Sequence, residues 1–287
     1  MNSRRAFLRG LASAAVRPGT EPAAPAPPPE PEPEPGRAPL SEAELDRYSR
    51  QLVLPEWSEA AQVALREAAV LVIGAGALGS PVATYLAGAG VGRIGIADDD
   101  EVAVSNLHRQ HLHFTPDVGV PKAASAAAKL AFLNPEILVE PYQVRFEPAN
   151  AAALVEGQDL VVDCSDSFET RYAVNAACCA AGIPLVEGGV VGLGGLVMAI
   201  RPGETACYRC AFPEPPPPGA APSCAEAGVL GPAAGVIGSL QALEAIRLLA
   251  GLPGEAAGGF LEVDLARQTF VRVSVARRPA CPDCNPL

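Results

Sequence analysis

A chain of 287 residues, 49% of them hydrophobic, holds enough apolar material for one large core. Its net charge of −11 sets nucleic acid and anionic membrane aside as main partners. No run of 18 or more apolar residues marks a membrane span.

The first 40 residues read as a tail. Ser3-Arg4-Arg5-Ala6-Phe7-Leu8-Arg9-Gly10 is similar to a twin-arginine export signal. The apolar segment behind it, Leu11 to Val16, is short and is interrupted by Arg17-Pro18, so a retained basic tail is preferred. Ten prolines between Arg17 and Pro39, interleaved with Ala and Glu, make a polyproline-like linker that cannot build a core. From Ser41 onward the chain alternates. Ser41-Glu42-Ala43-Glu44 is an N-cap with a capping acid, predicting a helix through Tyr48 and Arg50. Strands are expected near 69–73, 93–97, 137–144, 159–163 and 184–187, with helices near 77–89, 121–132, 148–156 and 168–181. That order of βα units implies a Rossmann-like, doubly wound α/β fold with a parallel sheet. After Val190 come short strands with Gly turns, a helix near 232–250 and strands near 258–264 and 268–275. These read as an antiparallel extension of the same sheet. Residues 41–287 would then be one domain, with a nucleotide-binding half to about 188 and a docking half beyond.

The chemistry starts at Val70-Leu71-Val72-Ile73, which leads into Gly74-Ala75-Gly76-Ala77-Leu78-Gly79. A strand, a glycine turn and a helix start offer backbone N–H groups and a helix dipole to phosphate. The next strand ends in Asp98-Asp99-Asp100, where such folds hold a ribose hydroxyl. GxGxxG with a later acid usually means NAD or FAD. Cations beyond the acid shift the choice: Asn106 and Arg109 in Ser105-Asn106-Leu107-His108-Arg109-Gln110, then Lys122 in Gly119-Val120-Pro121-Lys122. A triphosphate needs several cations because its charge is large and moves during transfer. Asp163 and Asp166 end a later strand, where a carboxylate could hold Mg²⁺. The set suits ATP better than NAD.

GxGxxG, the acidic strand end, SNLxRQ, the GxPK lysine and the Asp163-Cys164-Ser165-Asp166 strand together resemble the MoeB/ThiF/HesA family. Its members adenylate the C-terminal glycine of a ubiquitin-like sulfur carrier. The resemblance runs from about Leu45 to Cys284. It implies that Asp98 holds the ribose; Asp100 beside it either faces solvent or assists near the ribose or the metal. It further implies that Asn106, Arg109 and Lys122 bind phosphates beside Gly74, Gly76, Gly79 and Gln110, and that Asp166 binds Mg²⁺. Arg50 matches an arginine that reaches the other protomer's triphosphate, which makes the enzyme a homodimer. A carrier ending in Gly-Gly and a cytoplasmic ATP supply accompany the same likeness. An NAD-dependent oxidoreductase and a non-catalytic scaffold are the alternatives.

Cys207-Tyr208-Arg209-Cys210 and Cys281-Pro282-Asp283-Cys284 are two CxxC pairs about seventy residues apart. Four thiolates in two close pairs suit a tetrahedral, structural Zn²⁺, and the family carries zinc on the same pairs. Cys164, Cys178 and Cys179 read as small core residues. Cys224 follows the proline-rich stretch Pro213 to Pro222; in some family members a cysteine there bonds covalently to the carrier or its sulfur, in others it is dispensable, and an incidental loop thiol is the alternative.

Among the remaining polar residues, His108, His111 and His113 read as surface or packing histidines, Asp99 as solvent-facing and Asp163 as a structural carboxylate. Arg171 and Asn175 lie on the helix after Asp166, where they either support the nucleotide or face solvent. Three departures from the family stand out: Asp166-Ser167 replaces the usual Asp-Asn, Gly195-Leu196 replaces Gly-Gln, and the proline-rich insertion is unusual.

Overall fold

The computed structural model describes residues 38–217, 228–252 and 258–285. The basic tail, the proline linker up to residue 37 and Cys224 lie outside the described residues. Ser41 opens α1 (Glu42–Arg47) with the expected reciprocal cap: its Oγ accepts from the Glu44 N–H, and its own N–H donates to Glu44 Oε2 at 2.7 Å. The helix expected through Arg50 breaks at Tyr48, and α2 (Ser49–Leu52) comes as a separate turn. Tyr48 is buried, with its ring against Gly90 and its hydroxyl accepting from Asn134 Nδ2, and this docking interrupts the helical path. A third helix, α3 (Glu59–Glu67), is not among the elements expected from sequence. Its signals are the Ser58 cap, which accepts from the Ala61 N–H, and a buried face of Ala61, Gln62, Val63 and Leu65.

The next elements build one eight-stranded sheet. The parallel strands are β1 (Ala69–Ile73), β2 (Arg93–Ala97), β3 (Leu138–Tyr142), β4 (Leu160–Asp163) and β5 (Leu185–Val191). Antiparallel β6 (Gly194–Ile200), β7 (Gly259–Asp264) and β8 (Thr269–Ser274) extend it, giving the order 3-2-1-4-5-6-7-8. β5 outruns its sequence-based bounds because pairing with β4 stops at Glu187, while pairing with β6 continues to Val191. Helices cover both faces. On one lie α4 (Gly79–Ala89), α5 (Lys122–Leu133) and α9 (Gly231–Leu249), with Leu86, Leu130 and Ile237 in a core shared with Val70 and Val72. The other face holds α6 (Ala151–Val155), α7 (Phe168–Ala181) and α8 (Tyr208–Ala211) over Leu71, Val161 and Leu185.

Strand order reverses between β1 and β4, and a crevice opens at the carboxyl ends of these strands. In open α/β sheets that is where ligands bind. No described helix is long and apolar enough to cross a membrane.

Candidate active site

A cavity of about 730 Å³ occupies the crevice. The β1–α4 turn forms its floor. Gly74 takes φ +90°, a left-handed conformation open to glycine, and a Cβ there would stand 3.0 Å from the Cys164 carbonyl oxygen. Gly79 does not line the cavity; it seats the helix on the turn, since a Cβ would fall 1.9 Å from the Gly74 carbonyl oxygen. Gly79→Ala is therefore expected to cost about 1–3 kcal/mol and to lower Tm by several degrees in a thermal melt. An unchanged Tm would show that the turn can retreat.

Asp98 sits at the end of β2 and lines the cavity. Its Oδ2 accepts the Ala75 N–H at 2.7 Å and its Oδ1 accepts the Asp100 N–H at 2.9 Å, so the carboxylate braces the glycine turn. Burial pushes Asp98 above the usual carboxylate range, against the pull of Lys122 and these two N–H groups. Each oxygen keeps a second lone pair for a ligand hydroxyl. Lys122 begins α5, is buried, and holds Asp100 Oδ2 at 2.7 Å from its Nζ. Arg109 also lines the cavity, with its Nη1 on the Ser105 carbonyl at 2.9 Å and beside His108 Nε2 at 2.8 Å. Gln110 Oε1 is buried at the cavity wall with no hydrogen-bond partner.

Gly74, Gly76, Asp98, Asp100, Arg109, Gln110, Lys122 and Asp166 thus meet at one cavity. Asn106 does not line it. Its Oδ1 accepts the Ala103 N–H at 3.0 Å and closes the short 3₁₀ turn before Arg109. Asp166 is exposed at the cavity edge, one residue before the Ser167 cap of α7; the serine keeps the capping role, accepting the Thr170 N–H. Arg50 is exposed on α2 and does not line the cavity. His113 is buried between Ser125 Oγ and the Ala75 carbonyl, a packing role.

Away from the nucleotide turn the cavity runs along the β5–β6 hairpin, past Gly189, Val190, Gly195 and Leu196, to Tyr208 and Phe212. Tyr208 and Phe212 belong to the cysteine-bearing segment. The four cysteines are buried, and their Sγ atoms all lie within 4.8 Å of one another. Sγ separations are 3.5 Å for Cys207–Cys281, 3.5 Å for Cys210–Cys284 and 3.8 Å for Cys207–Cys210. A tetrahedral ion with Zn–S bonds of about 2.3 Å needs sulfurs about 3.8 Å apart, whereas a disulfide needs about 2.05 Å. The cluster fits a metal. Burial raises the Cys281 thiol, but the Cys284 and Asp283 backbone N–H groups outweigh it and bring it down to about 7.

Asn175 serves neither the nucleotide nor a solvated helix face. It is fully buried, its Nδ2 donates to Asp283 Oδ2 at 2.7 Å, and its Oδ1 accepts the Tyr208 N–H at 2.8 Å. One amide therefore ties both cysteine pairs to α7. Arg209 adds a 2.8 Å bond from Nε to the same Asp283 oxygen and stacks 4.5 Å from the Tyr172 ring. The Asn-to-tail contact spans over a hundred residues, and nothing in the local sequence signals it. Arg171 is largely buried and paired with Glu187, and it lines the cavity rather than facing solvent.

Comparison with known proteins agrees with this layout. The ThiF family pattern matches residues 48–283. A sulfur carrier protein adenylyltransferase of Thermus thermophilus is 49% identical over 250 residues, covering 85% of this chain and 92% of that protein. The SAMP-activating enzyme E1 of Haloferax volcanii is 46% identical, covering 86% of this chain and 91% of that protein. An adenylyltransferase and sulfurtransferase, MOCS3 of Sus scrofa, is 47% identical over 87% of this chain; the match spans 55% of that protein's length. Among solved structures, E. coli MccB with ATP shares the fold at TM-score 0.74 and 24% identity, over 83% of this chain and 74% of MccB. A mainly parallel sheet with its antiparallel extension, a cavity at the switch point and these matches lead to one placement: the chain belongs to the ThiF family.

Proposed function

We propose that the chain adenylates the C-terminal carboxylate of a ubiquitin-like sulfur-carrier protein, as required in molybdopterin or thiazole synthesis. The observation that carries this reading is the continuity of the cavity. A phosphate-binding turn with Lys122 and Arg109 lies at one end, and a glycine-walled channel along β5–β6 enters from the other. The relatives are named adenylyltransferases or activating enzymes, so the NAD alternative has no support.

In the reaction a carboxylate oxygen of the carrier's terminal glycine attacks the α-phosphorus of ATP. The bond from that phosphorus to the β-bridging oxygen breaks, giving an acyl-adenylate and pyrophosphate. The nucleophile is already anionic, so no general base is needed. The barrier is the approach of two negative groups, and fixed positive charge lowers it. Lys122 and Arg109 supply that charge, and Asn106 holds the turn that carries Arg109. Asp98 takes the ribose, Gln110 offers its spare oxygen to the nucleotide, and Gly74 and Gly76 lend backbone N–H groups. Asp166 and Asp100, both lining the cavity, present the hard oxygen donors that suit Mg²⁺. The cation would neutralise phosphate charge there. Arg50, exposed and away from its own cavity, suits a role across a homodimer. Cys207, Cys210, Cys281 and Cys284 hold a structural Zn²⁺ that fixes the Tyr208–Phe212 wall. Cys224 remains the candidate thiol for a covalent carrier step, and a cytoplasmic location accords with ATP use. Leu196, where the family has Gln, sits on the channel wall and bears on which carrier tail is accepted.

The test is ATP–pyrophosphate exchange with purified carriers ending in Gly-Gly, beside thermal shifts with Mg-ATP and NAD. Exchange that depends on the carrier, with stabilisation by Mg-ATP, is expected. Stabilisation by NAD and not by Mg-ATP would overturn the reading.

A further inference from the structure

In the wall shared by the two ends of the cavity, where Arg171 is itself a lining residue, lies a charged cluster to which adenylation assigns no task. Asp163 ends β4, Glu187 stands opposite it in register on β5, and both are fully buried. Two ionised carboxylates there would repel each other without hydration. Asp163 Oδ2 and Glu187 Oε2 would each be buried without a donor. One proton between the two side chains satisfies both oxygens. Asp163 Oδ1 already accepts the Ser165 backbone N–H at 2.8 Å, which leaves Oδ2 as the oxygen without a donor. The pair then carries one negative charge, balanced by the Arg171 guanidinium on Glu187 Oε1.

Arg171 also donates to the main chain. Nη1 donates to the Gly188 carbonyl and Nη2 to the Ser165 carbonyl, each at 2.7 Å. Those carbonyls belong to different walls. Ser165 precedes Asp166 at the nucleotide end, and Gly188 precedes Gly189 in the channel. The guanidinium lies directly under Gly189, where a Cβ would stand 3.2 Å from Nη1.

We propose that Arg171 is a positioning residue that clamps the Ser165–Asp166 loop to the Gly188–Gly189 strand, and that Glu187 and Asp163, sharing one proton, hold the clamp. The shared proton stands on geometry alone, while the clamp's task of spacing two substrates rests on the adenylation reading.

Burial and the Asp163 charge push Glu187 well above the usual carboxylate range, with Arg171 opposing. The folded chain thus keeps a proton that the unfolded chain releases. Stability from this group is complete below the unfolded value of about 4.3 and falls as pH rises toward the folded value. In Glu187→Gln the amide N–H replaces the acid proton, its oxygen still faces Arg171, and nothing titrates. The other titratable groups facing the pair are Cys164, Cys178 and Tyr208, all held protonated by burial, while Gln241 on α9 is neutral and donates to the Asp163 carbonyl. The Tm of E187Q relative to the native chain is expected to climb by roughly 3–5 °C between pH 6 and pH 9. A flat or falling difference overturns the shared proton. For the clamp, Arg171→Lys is expected to lower kcat of carrier-dependent exchange about 100-fold while KM for Mg-ATP moves less than about threefold. Glu187→Ala should lose kcat likewise, and E187Q should restore most of it. Native kcat in R171K, or a loss that only follows its Tm, overturns the clamp. Absence of exchange in the native chain defeats the adenylation reading and the clamp's task together, whereas the pH comparison still decides the pair.

Discussion

Lys122→Ala is expected to lower carrier-dependent ATP–pyrophosphate exchange about 10²- to 10³-fold, with Tm changed by no more than a degree or two. Lys122 is buried at the start of α5, where desolvation strengthens its field on any phosphate in the cavity. Its partner Asp100 has a side chain 67% exposed, so once the lysine is gone the carboxylate stays hydrated and the fold loses little. The catalytic loss is amplified because Asp98, Asp99 and Asp100 all line the cavity and would then face the triphosphate with less opposition. Single-turnover formation of the acyl-adenylate measures this directly. A loss below tenfold would move the main charge stabilisation to Arg109 or the metal.

Cys281→Ser is expected to abolish stoichiometric zinc and to lower Tm by roughly 10 °C. Four buried thiols converge on one point, and binding energy at such a site is folding energy. The damage should spread. Tyr208 and Phe212 sit between the cysteines and the cavity, and the Tyr172 hydroxyl donates to the Phe212 carbonyl at 2.9 Å. Exchange activity should therefore fall along with zinc content when a chelator strips the native chain, and both should return on adding Zn²⁺. Full stability in a zinc-free preparation would reduce the cluster to four packed thiols.

The βα alternation, the glycine turn and the two CxxC pairs were legible because each is written in local spacing. Residues 69–73 and 93–97 match their strands, and 168–181 its helix, to the residue. What escaped depends on partners distant in sequence. Tyr48 ends a helix because of where its ring lands, against Gly90 and Asn134. Asn175 gains its role from Asp283, and no helical periodicity encodes that contact. Glu187 follows Leu185-Val186 in an apolar strand, the same signal that singled out Asp163, yet only the register of β4 against β5 makes them a pair. The cation set was visible as residue types, while the division between cavity-lining Arg109 and turn-holding Asn106 was not.

The cysteine cluster also bears on the order in which a growing chain can complete itself. The parallel part of the sheet, β1 to β5, is complete in sequence at Val191, whereas Cys207 waits for Cys281, 74 residues later. That second pair arrives only after β7 and β8 have been made. Until then Asn175 on α7 lacks its Asp283 partner, and the Tyr208–Phe212 wall lacks its anchor. A nascent or truncated chain can thus present a nearly finished sheet but not a finished channel, which couples competence to the last step of assembly.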